Sequence, residues 1–466
     1  MDSPVTSLID ALVRELTERK HSIPRRSLLE SLFNTTFYCT LERDEGQAIR
    51  FDLTYLDPSN PDPDPPFRIR SDRWIYVPFA EPLGFNIASI AKVALASDQR
   101  TSMLVVYPDD ASELRIWGFI DQGINSYRFR SYESSSGFGY PGLFQLSAID
   151  VGHLVLRIDF EQIAELRGES VNTKPLDVLE DGAVPAALMP VFERLARSSS
   201  PLIRALQLDH DDSDALHLMS EETLRSLRRL LSRVQGYGHG GAVLITPSIR
   251  GNQLNIKHKI NYLRLARAIQ KVAVLEEHSE KLFRAILEMP GDPAKTSIPM
   301  SRHLETVIFD NELEDAQSEL NGSLWFASLL SRIDGLVLMD KSLVIRGFGV
   351  EITVAKPPDA VWLAGDVEAS ESARVELPYE HYGTRHRSMM RYVARVPGSV
   401  GFVVSQDRGV RAMTMIESDL VIWDNVQLQQ DFNVHEIRKP SPDTGVTATS
   451  HLASNLASAH AQADVV

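Results

Sequence analysis

Hydrophobic and polar positions alternate along this chain in two rhythms. Near the start, Leu8, Ile9, Leu12 and Leu16 fall at helical spacing behind Ser3-Pro4, which predicts an amphipathic helix with proline in its first turn. A second helix is predicted over 25–34, then strands over 36–41 and 48–55 around a polar turn containing Gly46. Residues 57–66 hold five prolines, so a stiff, extended connection is expected there. Beyond it the pattern predicts strands over 74–77, 103–107, 114–120 and 151–158, a helix over 87–96, and a Ser/Gly-rich loop over 132–142.

The second half is richer in helical periods. Helices are predicted over 184–197, from a Ser220 cap to Gly236, over 257–289 and over 311–332. Gly238-His239-Gly240-Gly241 reads as a tight turn entering the apolar strand 242–246, with His239 a turn residue. The acidic stretch 209–214 lacks the glycine and the bidentate Glu of a calcium loop, so it reads as a solvated loop. Residues 437–466 lack apolar periodicity and are expected to be disordered.

The expected fold is α/β, with an N-terminal mixed α/β sensor-like region, a helical connector and a C-terminal domain whose mixed sheet is flanked by helices. The segments expected are 1–56 (helices and hairpin), 57–67 (linker), 68–250 (α/β sensor region), 251–309 (helical connector), 310–436 (C-terminal domain) and 437–466 (tail).

Length and composition fit this picture, since 466 residues exceed one ordinary domain. A net charge of −15 argues against general nucleic-acid binding, although a nucleotide needs only local cations. No apolar run approaches the roughly 20 residues that span a bilayer, and the N-terminus shows no cleavage signal, so a cytoplasmic protein with no membrane partner is expected. Cys39 is the only cysteine, which excludes an internal disulfide and a cysteine-rich metal site.

Three segments carry candidate chemistry. Asp334-Gly335 stands between a helix and a strand, where a carboxylate beside an open backbone suits a metal held against phosphate, or forms a simple turn. Gly383-Thr384-Arg385-His386-Arg387 opens a helix that continues with arginines at 391 and 395 and has Thr384 as its expected cap. That pattern suits either a triphosphate at a helix N-terminus or a solvated basic face salt-bridged to nearby acids. The third is the strand 401–405 ending in Ser405, followed by a polar turn: a ligand loop or an ordinary hairpin.

In this order, DGL at 334–336, GTRHR at 383–387 and VVSQDRG at 403–409 resemble the diadenylate cyclase family, over roughly residues 310–430. GHGGAVLITP (238–247) and RGFGVEI (346–352) look like the bacterial subgroup with an N-terminal sensor domain of the DACNV type, whose ligand is unknown. The resemblance implies condensation of two ATP molecules into cyclic di-AMP and two pyrophosphates, with Mg²⁺ or Mn²⁺. It implies Asp334 as metal ligand and catalytic residue together with Gly335, Arg385 and His386. It implies ATP contacts from Gly335, Leu336, Gly383, Thr384, Arg385, His386, Arg387 and Ser405. It also implies a homo-oligomer with cyclase domains face to face. Leu336 replaces the family's Ala, which would crowd the nucleotide pocket, and the 50 positions from Asp334 to Thr384 exceed the expected separation. The competing readings are an inactive nucleotide-binding sensor, a cyclase with another product, and an interaction protein.

Overall fold

The computed structural model describes residues 3–44, 46–61, 74–133, 144–158, 161–173, 176–208, 212–249, 253–287, 299–405 and 409–429. Most of the Pro-rich linker, the Ser/Gly-rich loop from 134, residues 209–211, the turn 406–408 and the expected tail lie outside them. The chain divides into two compact units between Thr173 and Leu176. Both are mixed α/β, as the periodicity predicts.

The first unit runs α1 Pro4–Glu18, α2 Arg26–Cys39, a short hairpin (β1 Arg43–Asp44, β2 Gln47–Ala48), β3 Phe51–Tyr55, β4 Ile75–Gly84 and α3 Ile87–Ala94. It continues with β5 Ser102–Pro108, β6 Leu114–Asp121, α4 Asn125–Arg130, β7 Phe144–Asp150, β8 His153–Ile158, β9 Glu161–Arg167 and β10 Ser170–Thr173. The eight longer strands form one sheet in the order β10-β9-β8-β7-β3-β5-β6-β4, with only β3 and β5 parallel. One face packs Phe51, Leu53, Leu104, Leu146 and Leu156 against Leu8, Leu12, Leu29 and Phe33 of the first two helices.

The strand predicted over 36–41 is instead the last part of α2. Leu29, Leu32, Phe33, Thr36 and Cys39 are buried along one helical stripe, and that burial overrides the β preference of Thr35 and Thr36.

The second unit contains α5 Ala183–Ala205, α6 Asp212–Gly236, β11 Gly241–Thr246, β12 Leu254–Tyr262, α7 Arg264–Leu287, α8 Met300–Leu330, β13 Leu336–Asp340 and β14 Ile345–Ile352. Then follow β15 Val361–Ala364, β16 Arg374–Glu376, α9 Thr384–Arg395, β17 Val400–Val404, β18 Val410–Ile416 and β19 Asp419–Trp423. Its sheet has the order β12-β14-β13-β11-β17-β18-β19-β15-β16. The strands β11, β13 and β17 are buried on both faces, hence their uninterrupted apolar sequences. Val243, Ile245, Val337 and Phe402 face a core shared with α5 to α8, whereas Ala242, Leu244, Leu338 and Val403 face Met389, Met390, Tyr392 and Val393 of α9. Burying each large side chain of α9 contributes about 1.5–3 kcal/mol. Gly401 makes that closeness possible, because a Cβ there would lie 2.6 Å from Met389 Cγ.

Three expectations are corrected here. Residues 176–250 and 251–309, assigned to the sensor region and to a helical connector, are integral to the second unit, because β11 pairs with both β13 and β17. Residues 254–262 form the edge strand β12 rather than the start of a helix: Leu254, Ile256, His258, Ile260 and Tyr262 recur with period two, and β12 pairs with β14. Ser220 lies inside α6, which spans Asp212–Gly236, and donates to His217 O at 2.7 Å.

α6, α7 and α8 share a polar network inside this apolar bundle. Arg225 Nη1 donates to Glu222 and Glu276 at 2.9 Å each, Ser226 Oγ donates to Glu222 at 3.0 Å, and Gln317 donates to Glu276 at 3.1 Å. Burial, reinforced by Glu276 and opposed by Arg225, pushes the Glu222 carboxyl up from 4.5 to about 7. The folded state therefore holds this proton where the unfolded chain has released it. Its contribution is full below the unfolded value and is lost as pH rises through about 7. Thermal melts across that interval should show Tm falling with pH, and Glu222→Gln should flatten the slope. An unchanged slope in the variant would refute the assignment.

Candidate active site at one end of the second sheet

The strand register brings the three motif segments together. Val337 lies opposite Val243 and Val404 lies opposite Gly241, so the start of β13 and the end of β17 occupy the same end of the sheet. Only β11 separates them, two strand spacings or about 10 Å. Val410 pairs with Val404, and Ala412 with Trp423, which brings the start of β18 and the residue after β19 to that same end.

Asp334 precedes β13, is exposed, and makes no side-chain hydrogen bond or ion pair among the described residues. Gly335 has φ +118° and lies hard against β14: a Cβ would be 2.5 Å from the Gly349 carbonyl carbon and 2.7 Å from Val350 N. The Asp-Gly pair is thus set by a close approach of two strands. Leu336 is buried in the core beneath α9, opposite Val350. The expectation that it would crowd a nucleotide is corrected, since the alternation of β13 turns it into the interior.

α9 begins at this end. Gly383, not Thr384, is its N-cap, and Thr384 is the exposed first residue of the helix. No side chain caps the start, so the first amides of α9 keep their capacity to receive an anion. Arg385 and Arg387 are half-buried, and neither guanidinium has an ion pair among the described residues; the same holds for Arg391 and Arg395. Among the described residues this basic face is not salt-bridged to neighbouring acids, contrary to that reading of the pattern.

His386 is buried and turns back toward the sheet. Its Nε2 lies 3.1 Å from Ser405 Oγ and 3.0 Å from Arg411 Nη1, and Arg411 Nη1 also donates to Ser405 Oγ at 3.0 Å. A guanidinium only donates, so Nε2 accepts and the ring proton resides on Nδ1. That nitrogen has a single lone pair, so the Ser405 hydroxyl and Arg411 Nη1 share or compete for it. Arg411 is anchored in turn by its Nε, which donates to Asp424 Oδ1 at 2.5 Å. The ring of Tyr382 stands 5.7 Å from the Arg411 guanidinium carbon and 6.0 Å from the His386 ring. Its hydroxyl is buried without a hydrogen-bond partner among the described residues and pushed up to about 12, by burial first and by Asp424 second.

The motifs therefore supply His386 and Ser405, but Arg411, Asp424 and Tyr382 escape sequence reasoning. The one signal for Arg411 is a charged residue in an otherwise apolar strand, two positions after Gly409. As a whole the sheet end offers an open carboxylate, a helix N-terminus and unpaired guanidinium groups, an arrangement suited to a phosphorylated ligand.

The family model described as "Probable sensor domain DACNV" matches residues 18–121, from the end of α1 through β6. The N-terminal unit thus carries a sensor domain of the DACNV type. That match corrects the segments on which this resemblance was placed: 238–247 contains β11 and 346–352 belongs to β14, both in the second unit. No curated protein matches the chain. Among the described residues no helix is long and apolar enough to cross a membrane.

Proposed function

We propose that the chain is a diadenylate cyclase, its second unit joining two ATP molecules into cyclic di-AMP and its DACNV-type unit regulating that activity. The observation that carries the reading is the convergence of Asp334-Gly335, the GTRHR helix start and Ser405 on one sheet end, three segments distant in sequence. The DACNV match lends it support, because that sensor is the domain expected beside such a cyclase.

In this reading the amides at the start of α9, with Arg385 and Arg387, hold the triphosphate. Arg411 holds His386 and Ser405 in place at the neighbouring strand end. The 3′-hydroxyl of one ATP attacks the α-phosphorus of the other, its proton passing to the Asp334 carboxylate as the new P–O bond forms. Pyrophosphate leaves with the electron pair of the broken P–O bond, and a second such transfer closes the ring. Charge spread over the phosphoryl oxygens is what the arginines and helix amides stabilise.

Among the described residues no group of three His, Cys, Asp or Glu could cage a metal ion. A lone exposed carboxylate fits Mg²⁺ or Mn²⁺ that takes its remaining ligands from substrate phosphates and water, and Asp334 would hold it. Such an ion would neutralise phosphate charge and lower the pKa of a bound hydroxyl. Because each domain would bind one ATP, ring closure requires two copies face to face.

Incubation of the purified chain with ATP and Mn²⁺ or Mg²⁺, with products resolved by mass spectrometry, tests the reading. Cyclic di-AMP and two pyrophosphates per ring are expected. ATP bound but unconverted would favour a nucleotide sensor, and absence of both binding and product would defeat the proposal.

A further inference from the structure

The first unit buries an unusual sheet face. Opposite the face covered by α1 and α2, paired positions bring Asp52 and Thr54 of β3 beside Ser147 and Gln145 of β7, and Arg157 of β8 stands directly opposite Gln145. All five are buried. A sheet face closed off from water is normally apolar, so this polar strip needs an account.

Most of the strip satisfies itself. Arg157 Nη1 donates to Ser147 Oγ at 2.9 Å, Gln99 Nε2 donates to Asp52 Oδ1 at 2.6 Å, and Thr54 Oγ1 donates to Phe144 O at 3.1 Å. Gln145 is the exception: it is 1% exposed, and among the described residues neither its amide nitrogen nor its amide oxygen has a hydrogen-bond partner. On the same face, two residues beyond Ile120, Gln122 is 4% exposed with both amide atoms likewise unpartnered. Buried amides with neither function engaged are rare, because each lost hydrogen bond to water goes uncompensated.

The surroundings of Gln145 narrow what would engage it. Thr54, its partner across the strand pair, is itself paired with Val105, so the polar strip abuts the apolar cluster of Leu56, Trp74, Met103, Val105 and Ile120. The aromatic polar atoms there are already used: Trp74 Nε1 donates to Pro61 O at 2.9 Å and Trp117 Nε1 to Tyr107 O at 3.0 Å. What Gln145 leaves over is an amide NH₂ and an amide oxygen, side by side on one plane, at the edge of an aromatic and aliphatic floor. A planar nitrogen heterocycle with an adjacent acceptor and N–H on one edge meets that description, and a nucleobase is such a group.

We propose that this face of the DACNV-type unit binds a nucleobase-bearing small molecule, read by the amide of Gln145. The site belongs to the first unit and is independent of the triphosphate chemistry assigned to the second.

The test is equilibrium dialysis and thermal melting of the full chain with adenosine, guanosine, cytidine and uridine, which lack the phosphates that the second unit would grip. At least one should bind and raise Tm. Gln145→Leu should raise the Tm of nucleoside-free protein, since it removes the unpaired amide, and weaken nucleoside binding about tenfold or more. Gln145→Met serves if the leucine variant misfolds, and Asp334→Asn should bind the nucleoside like the unmodified chain. No binding by any of the four at about 1 mM would overturn the proposal, as would undiminished binding in the Gln145 variants. Loss of nucleoside binding in Asp334→Asn would assign it to the second unit and overturn the proposal too.

Discussion

Asp334→Asn is expected to lower cyclic di-AMP formation by about 100-fold or more while leaving the melting temperature unchanged. The side chain is exposed and bonds to nothing among the described residues, so the fold does not depend on its charge. The amide is the same size but cannot take a proton from a 3′-hydroxyl, and it is a far weaker ligand for a hard divalent ion. Loss of rate with intact ATP binding would separate a chemical role from a binding one. Product formed at the unmodified rate would remove Asp334 from the mechanism, whatever the rest of the sheet end does. Melting curves recorded in parallel guard against mistaking an unfolded variant for an inactive one.

Gly335→Ala carries the largest expected cost in stability. The residue has φ +118°, a conformation that L side chains rarely adopt, and the new Cβ would sit 2.5 Å from the backbone of Gly349. That backbone belongs to β14 and cannot retreat without breaking its pairing with β13, where Leu336 lies opposite Val350. A penalty on the order of 3 kcal/mol follows from strain and overlap together. In a unit of this size it corresponds to a fall in Tm of roughly 6–12 °C. Gly349→Ala is the control. Its φ is +60°, and its nearest contacts, 3.3 Å and 3.4 Å, are to side-chain atoms of His258 and Ile333, so a cost of about 1 kcal/mol is expected. If the two variants melt alike, the close approach of β13 and β14 is not what requires glycine at 335.

The same residue shows how local and tertiary information divide. Asp-Gly is an ordinary turn signal, and nothing local says that a second strand lies against that glycine. Leu336 illustrates the converse: as a substitution within a motif it suggests a crowded pocket, but the pleat of β13 turns it into the core under α9. At 384–387 the helix start was legible because arginines and methionines recur at helical spacing. Which residue caps it was not, since Gly383 fills the cap position without a side-chain bond. Residues 254–262 carry a plain period of two that runs directly into the helical period of α7. Their strand character depends on β14, which is far away in sequence.

Local periodicity and the chemistry of single side chains are enough for the α/β class, for most of the helices and strands, and for the residue types able to hold a phosphate. Long-range folding sets β11 between β13 and β17, and so brings Asp334 and Ser405 to one sheet end. It alone recruited Arg411, Asp424 and Tyr382 and left the Gln145 amide buried and unpaired. The reason is physical: strand order and register are settled by non-local pairing and by which faces can be buried together, and no window of neighbouring residues contains that information.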